Sequence, residues 1–149
     1  MAGRTFTYEV RRTSSADPAT LFGLLSDGSR WSEWAKPIVP TSSLVTQGDP
    51  APGGVGAIRK LGLGPLGLRE QTVAHEQDKL HGYVLLTPSP MRDYRGDVQL
   101  SPRADGGTDI TWTGSFTERL PGTGALTARL LRAMIANLAG KLARAGERL

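Results

Sequence analysis

Residues Thr123–Leu149 read TGALTARLLRAMIANLAGKLARAGERL, and this stretch decides the fold. Leu131, Met134, Leu138, Leu142, Ala145 and Leu149 recur at intervals of three or four residues, which places them on one stripe of an α-helix. Arg129, Arg132 and Arg144 fall on the opposite side. Pro121-Gly122 breaks the chain just before, Thr123 is the candidate N-cap, and only Gly140 weakens the interior. The predicted helix is roughly 40 Å long. A helix of that length needs a broad apolar partner, and the strand-rich remainder of the chain is the only candidate.

Composition narrows the class. A chain of 149 residues with 38% hydrophobic and 21% charged side chains suits a single soluble domain, spanning 1–149, with a substantial core. The charged start, Met1 to Arg12, does not read as a signal peptide, and no apolar run reaches the length of a membrane span. The absence of cysteine removes disulfides, thiolate metal sites and Cys nucleophiles, and fits a cytoplasmic location. Residues 1–121 carry no net charge, so the whole excess of +4 sits on the closing helix. No nucleic-acid motif or dense basic patch accompanies it, so the cations read as the solvated face of a terminal helix, favourably placed near its C-terminal end.

Ahead of the helix, Thr5 to Arg12 alternates Phe6, Tyr8 and Val10 with polar residues, the period of a half-buried strand. Asp17-Pro18 opens a short helix through Leu21, Phe22 and Leu25; Asp27 caps a second one carrying Trp31 and Trp34, which Pro37 ends. A weak strand at 43–47 precedes clearer ones at 55–61, 68–75, 80–87, 92–100 and 108–117. Their short links force antiparallel pairing. The expectation is an α+β fold: a curved antiparallel sheet of six to seven strands wrapped around the C-terminal helix, with two short helices after the first strand. Strand parity turns Tyr94, Gly96, Val98 and Leu100, and Ile110, Trp112, Gly114 and Phe116, toward the helix. The two inner glycines either permit bending or leave room.

Leu24-Leu25-Ser26-Asp27 running into Arg30-Trp31-Ser32-Glu33-Trp34, the segment Gly106-Gly107-Thr108-Asp109-Ile110-Thr111-Trp112, and the closing helix together resemble the START-like, or SRPBCC, superfamily and its polyketide cyclase/dehydrase group. The resemblance covers nearly the whole chain. It implies a helix-grip (Bet v 1/START-like) fold with a deep pocket for an apolar or aromatic small molecule between helix and sheet. Relatives of this kind include cyclases, lipid carriers and interaction modules, so the fold does not assign an activity.

Other motifs are weaker. Gly62-Leu63-Gly64-Pro65-Leu66-Gly67 matches G-x-G-x-x-G literally, yet it lies between two strands, where a dinucleotide fingerprint needs a following helix. Its leucines fold back onto the core or touch a partner. His75 and His81 flank one turn; a four-residue turn at 76–79 would put them on opposite faces, as surface histidines. Two nitrogens without a third ligand do not hold zinc, and no cofactor is implied.

Tyr94 and Trp112 are the pocket candidates that parity selects. Of the two tryptophans three residues apart, Trp31 is expected to plug the gap between helix and sheet and Trp34 to line the entrance. Arg59, Arg69, Glu70, Tyr83 and Arg92 lie on strands whose inner face the pattern does not assign; each is expected outside, but any that points inward becomes a candidate for ligand recognition or acid/base work. From the helix, Met134 and Leu138 are expected to face the cavity with Leu131 at its mouth, while Leu142, Ala145 and Leu149 form core.

The predicted ligand-binding set is therefore Trp34, Arg59, Glu70, Tyr83, Tyr94, Trp112, Leu131, Met134 and Leu138. The leading expectation is a binder of one lipid, polyketide or aromatic metabolite, monomeric or homodimeric, with no nucleic-acid partner and no stable membrane insertion. The alternatives are a polyketide-type cyclase/dehydratase, in which Arg59 or Arg69 polarises a carbonyl and Tyr83 or Tyr94 protonates an enolate, and an interaction module without a ligand. An inward Arg, Glu and Tyr cluster would favour the enzyme, an apolar pocket the carrier, and a collapsed core the interaction module.

Overall fold

The computed structural model describes residues 3–62 and 67–149. Strand β1 (Thr5–Ser14) leads into helix α1 (Pro18–Ser26), a single 3-10 turn (Gly28–Arg30) and the short α2 (Trp31–Trp34). Strands β2 (Ser42–Thr46), β3 (Ile58–Leu61), β4 (Leu68–Glu76), β5 (Leu80–Leu85), β6 (Met91–Pro102) and β7 (Thr108–Glu118) follow, and α3 (Gly124–Glu147) closes the chain. All seven strands pair antiparallel in the order β1-β7-β6-β5-β4-β3-β2, so the first strand lies beside the last. This is the helix-grip arrangement expected from the sequence, with α3 packed on β1, β7 and α1.

Local chemistry sets the element ends. Asp17 Oδ1 accepts the Thr20 N–H at 2.8 Å and Pro18 starts α1. The last carbonyls of α1 have no partner within the helix and receive the two indole N–H groups: Trp31 Nε1 donates to Leu25 O at 2.9 Å and Trp34 Nε1 to Leu24 O at 3.1 Å. At α3 the expected cap is corrected, because the Thr123 hydroxyl donates to Leu120 O instead of accepting from the helix. Glu118 does the capping: its Oε2 accepts the Gly124 N–H at 2.9 Å while Oε1 accepts the Arg4 N–H, fastening the end of β7 to the start of the helix.

The helix stripe is rotated slightly from the expectation. Leu131, Leu138, Leu142 and Ala145 are buried, but so is Ile135, which the sequence reading left out. Met134, beside it, is 39% exposed. Leu149 is corrected outright: it is 74% exposed, because α3 ends at Glu147 and the last residue lies beyond the packed turn.

A larger correction concerns the hairpin between β4 and β5. Its loop is three residues, Gln77 to Lys79, so Glu76 pairs with Leu80 and His75 pairs with His81. A shift of one residue from the expected register moves the histidines onto the same face. His81 is fully buried instead of exposed, and both ring nitrogens of His75 are shielded from solvent beside Phe22. At the neighbouring hairpin, β4 begins at Leu68, directly after Gly67, so no helix follows the glycine-rich segment and the dinucleotide fingerprint is ruled out. Leu63 to Leu66, the tip whose leucines were expected to fold back or meet a partner, lie outside the described residues.

Candidate functional site

A cavity of about 450 Å3 separates the middle of α3 from the sheet, within the usual size of ligand pockets. Leu131, Met134, Ile135 and Leu138 form its helix side. Leu61, Leu68, Leu85 and Met91 come from the strands, and Ile38, Val39 and Pro40 from the segment after α2. Among the described residues, the polar side chains of this apolar lining are Glu70, Tyr83, Tyr94 and the indoles of Trp112 and Trp31, the first four gathered at its floor. The groove bounded by Thr7, Glu9, Arg95, Asp97 and Arg132 is, by contrast, an open polar depression.

Two glycines make the floor possible. Tyr8 pairs across β1 and β7 with Gly114, Gly114 across β6 with Gly96, and Gly96 across β5 with Tyr83. Each tyrosine ring lies in the space that a Cβ on its opposing glycine would occupy. Gly96 and Gly114 therefore leave room, and what fills the room is the pair of rings. Tyr94 sits between them: its hydroxyl is 2.5 Å from that of Tyr8 and 3.1 Å from that of Tyr83. Trp112 Nε1 donates to the Tyr83 hydroxyl at 3.1 Å, completing a row of buried polar groups of which Tyr83, Tyr94 and Trp112 reach the cavity floor and Tyr8 lies behind it.

Burial pushes the Tyr83 phenol up to about 12, with the nearby Glu70 charge adding to the effect. Burial also raises Tyr8 and Tyr94, each helped by a neighbouring tyrosine. All three are neutral hydroxyls at physiological pH. They can donate and accept hydrogen bonds, but none serves as a phenolate base.

Beside this row lies a buried ion pair. Arg59 and Glu70 face each other directly across β3 and β4. Arg59 donates from Nη2 and Nε to Glu70 Oε1 at 2.6 and 3.0 Å, and its Nη1 donates to His81 Nε2 at 2.7 Å. The guanidinium also lies 4.3 Å from the Trp31 ring centre and 4.9 Å from that of Tyr83, positions in which the ring faces attract the cation. Accepting from Arg59 requires His81 Nε2 to be unprotonated, so the neutral ring carries its proton on Nδ1. Burial, then the Arg59 charge, then His75 hold His81 well below the ordinary imidazole value.

These positions sort the predicted residues. Glu70, Tyr83, Tyr94, Trp112, Leu131, Met134 and Leu138 come together on the cavity wall. Arg59 is turned inward, contrary to the outward expectation, but it lies behind Glu70, off the wall and 3% exposed. Arg69 and Arg92 are exposed, as expected. The expectation that Trp34 lines the entrance is corrected: Trp34 is packed in the core and bonded to Leu24, and Trp31 is the tryptophan on the cavity wall. Sequence reasoning passed over Ile135, Leu85 and Met91 as lining residues. Ile135 was legible, since it stands four residues after Leu131 and three before Leu138.

The family model for polyketide cyclase / dehydrase and lipid transport matches residues 5–147. No curated protein matches the sequence. Among solved structures, a protein of Nitrosospira multiformis is 20% identical, with 92% of this chain and 96% of that chain covered at a TM-score of 0.69. XoxI of Bacillus cereus is 18% identical over 97% and 95% of the two chains, also at 0.69. Ara h 8.0201 is 19% identical over 93% and 99%, at 0.64. At these identities the likeness is one of fold, and it is the helix-grip fold of the START-like superfamily. With the family model spanning almost all of its length, the chain belongs to the polyketide cyclase / dehydrase and lipid transport family.

Proposed function

We propose that this protein binds one hydrophobic small molecule, a lipid, polyketide or aromatic metabolite, between α3 and the sheet. The observation that carries this reading is the cavity itself, whose walls are apolar from mouth to floor and whose polar groups are gathered at one end. Burial of apolar ligand surface drives binding at roughly 25 cal/mol per Å2, and the floor groups fix the orientation. In this reading the protein is a single domain, monomeric or homodimeric, and a cytoplasmic location fits its cysteine-free composition. Among the described residues no helix is long and apolar enough to cross a membrane.

The inward cluster of Arg59, Glu70, Tyr83 and Tyr94 favours a second reading, a polyketide-type cyclase/dehydratase. In that chemistry the acid/base groups on the wall are Glu70 and the hydroxyls of Tyr83 and Tyr94. The carbonyl-polarising role expected of an arginine has no support, since Arg59 is engaged behind the wall and Arg69 is exposed.

Native mass spectrometry of the protein purified from its source tests the first reading. A copurified small molecule is expected; absence of any such molecule, together with failure to take up the apolar dye Nile red, would sink it. The second reading requires turnover of a polyketide-like substrate to fall when Tyr83 and Tyr94 are both replaced by Phe.

A further inference from the structure

The charge distribution at the cavity floor restricts the ligand further, an inference that rests on the cavity being a binding site. Glu70 is the one charged residue on the wall among the described residues, and the four remaining residues of the β3–β4 loop are Leu63, Gly64, Pro65 and Leu66, which carry no charge in the sequence. The cation that balances Glu70 is not available to a ligand: Arg59 is committed to Glu70 and His81 and lies against the faces of Trp31 and Tyr83. His81 itself is neutral and faces Arg59. Both hydrogen bonds from Arg59 to the carboxylate go to Oε1; Oε2 has no hydrogen-bond partner among the described residues, on a side chain that lines the cavity.

A molecule entering head first thus meets the free Oε2 of a carboxylate whose other oxygen is held by Arg59, next to neutral phenol hydroxyls. A carboxylate head would set a second anion against Glu70 in a dry pocket without a counter-ion, which is costly. A hydroxyl head donates to Oε2 and accepts from Tyr83 or Tyr94 at no charge cost. From this arrangement we infer that the cavity takes neutral hydrophobic molecules with an alcohol or phenol head, which donates to Glu70 Oε2, and discriminates against carboxylate-headed molecules of the same size.

Matched probes separate this inference from the reading beneath it. Isothermal titration at neutral pH compares decanol with decanoate, and naphthol with naphthoate. The alcohol of each pair is expected to bind at least about tenfold more tightly than the acid. The methyl ether of decanol, which keeps the chain but has no donor, is expected to fall below decanol. In Glu70→Gln the handicap of decanoate is expected to shrink by about tenfold. Acids binding as well as alcohols in the native protein overturn the inference while leaving the cavity a binding site, and this comparison decides the matter even if Glu70→Gln does not fold. An ether equal to the alcohol overturns the donor role. If no member of either pair binds, the binding reading itself fails and takes the inference with it.

Discussion

Arg59 and Glu70 stand directly opposite each other on β3 and β4, with 2.6 Å between Nη2 and Oε1, and both side chains are buried. A cross-strand ion pair in the interior stabilises little by itself, because desolvation offsets the attraction, yet removing one member leaves an uncompensated charge. Arg59→Met is therefore expected to lower stability by about 3–5 kcal/mol in urea unfolding. The double variant Arg59→Met/Glu70→Leu should lose much less than that. Equal losses in the two proteins would show that packing on Trp31 and Tyr83, and not charge balance, is what Arg59 contributes.

Gly96→Ala tests the floor. The added Cβ falls within the ring of Tyr83, and the ring is held by hydrogen bonds to Tyr94 and Trp112, so it cannot move without breaking them. Overpacking of this kind is expected to cost about 1–3 kcal/mol and to change the near-ultraviolet circular dichroism of the tyrosines. A variant with native stability would mean that the ring has room to move away.

Leu138→Phe adds volume to the cavity side of α3 where space already exists. Stability is expected to change by less than about 1.5 kcal/mol while Nile red binding drops severalfold. Retained dye binding would place the site elsewhere.

His81 links stability to pH. In the folded protein its pKa lies well below 6.5, chiefly from burial, while the unfolded chain takes up the proton near 6.5. The stabilising contribution is thus complete above pH 6.5 and is lost as pH falls from there toward the depressed folded value. Urea midpoints should decline through this window, at a slope of up to about 1.4 kcal/mol per pH unit, and His81→Gln should flatten the decline. An unchanged slope in the variant would assign the proton to another group.

Glu118→Ala removes the acceptor for the Gly124 and Arg4 amides. Faster hydrogen exchange at Gly124 and a lower melting temperature are expected. If exchange at that amide is unaffected, the helix start is held by packing alone.

How much of this was legible beforehand follows from what each feature depends on. The closing helix, the antiparallel order, the cap at Asp17 and the inward faces of β6 and β7 all arise from periodicity and turn chemistry within a few residues, and each stood in the sequence, whereas Asp27 caps the 3-10 turn before α2 and not α2 itself. The inward placement of Glu70 and Arg59 did not. It depends on the register of short strands whose two faces both carry polar residues, so alternation does not distinguish inside from outside. The histidines show the same dependence, since one residue fewer in the Gln77–Lys79 loop reverses their placement.

The sequence by itself determined that a long amphipathic helix would be gripped by a curved antiparallel sheet, because hydrophobic spacing is a local property that each element carries alone. Only the tertiary structure decided what the space between them contains. The row Tyr8, Gly114, Gly96 and Tyr83 comes from four strands, the partners Arg59, Glu70 and His81 from three, and Trp31 stands on the cavity wall while Trp34 is packed in the core. Groups that meet across strands leave no trace in the spacing along any one of them, and the polar floor of this cavity is built wholly from such meetings.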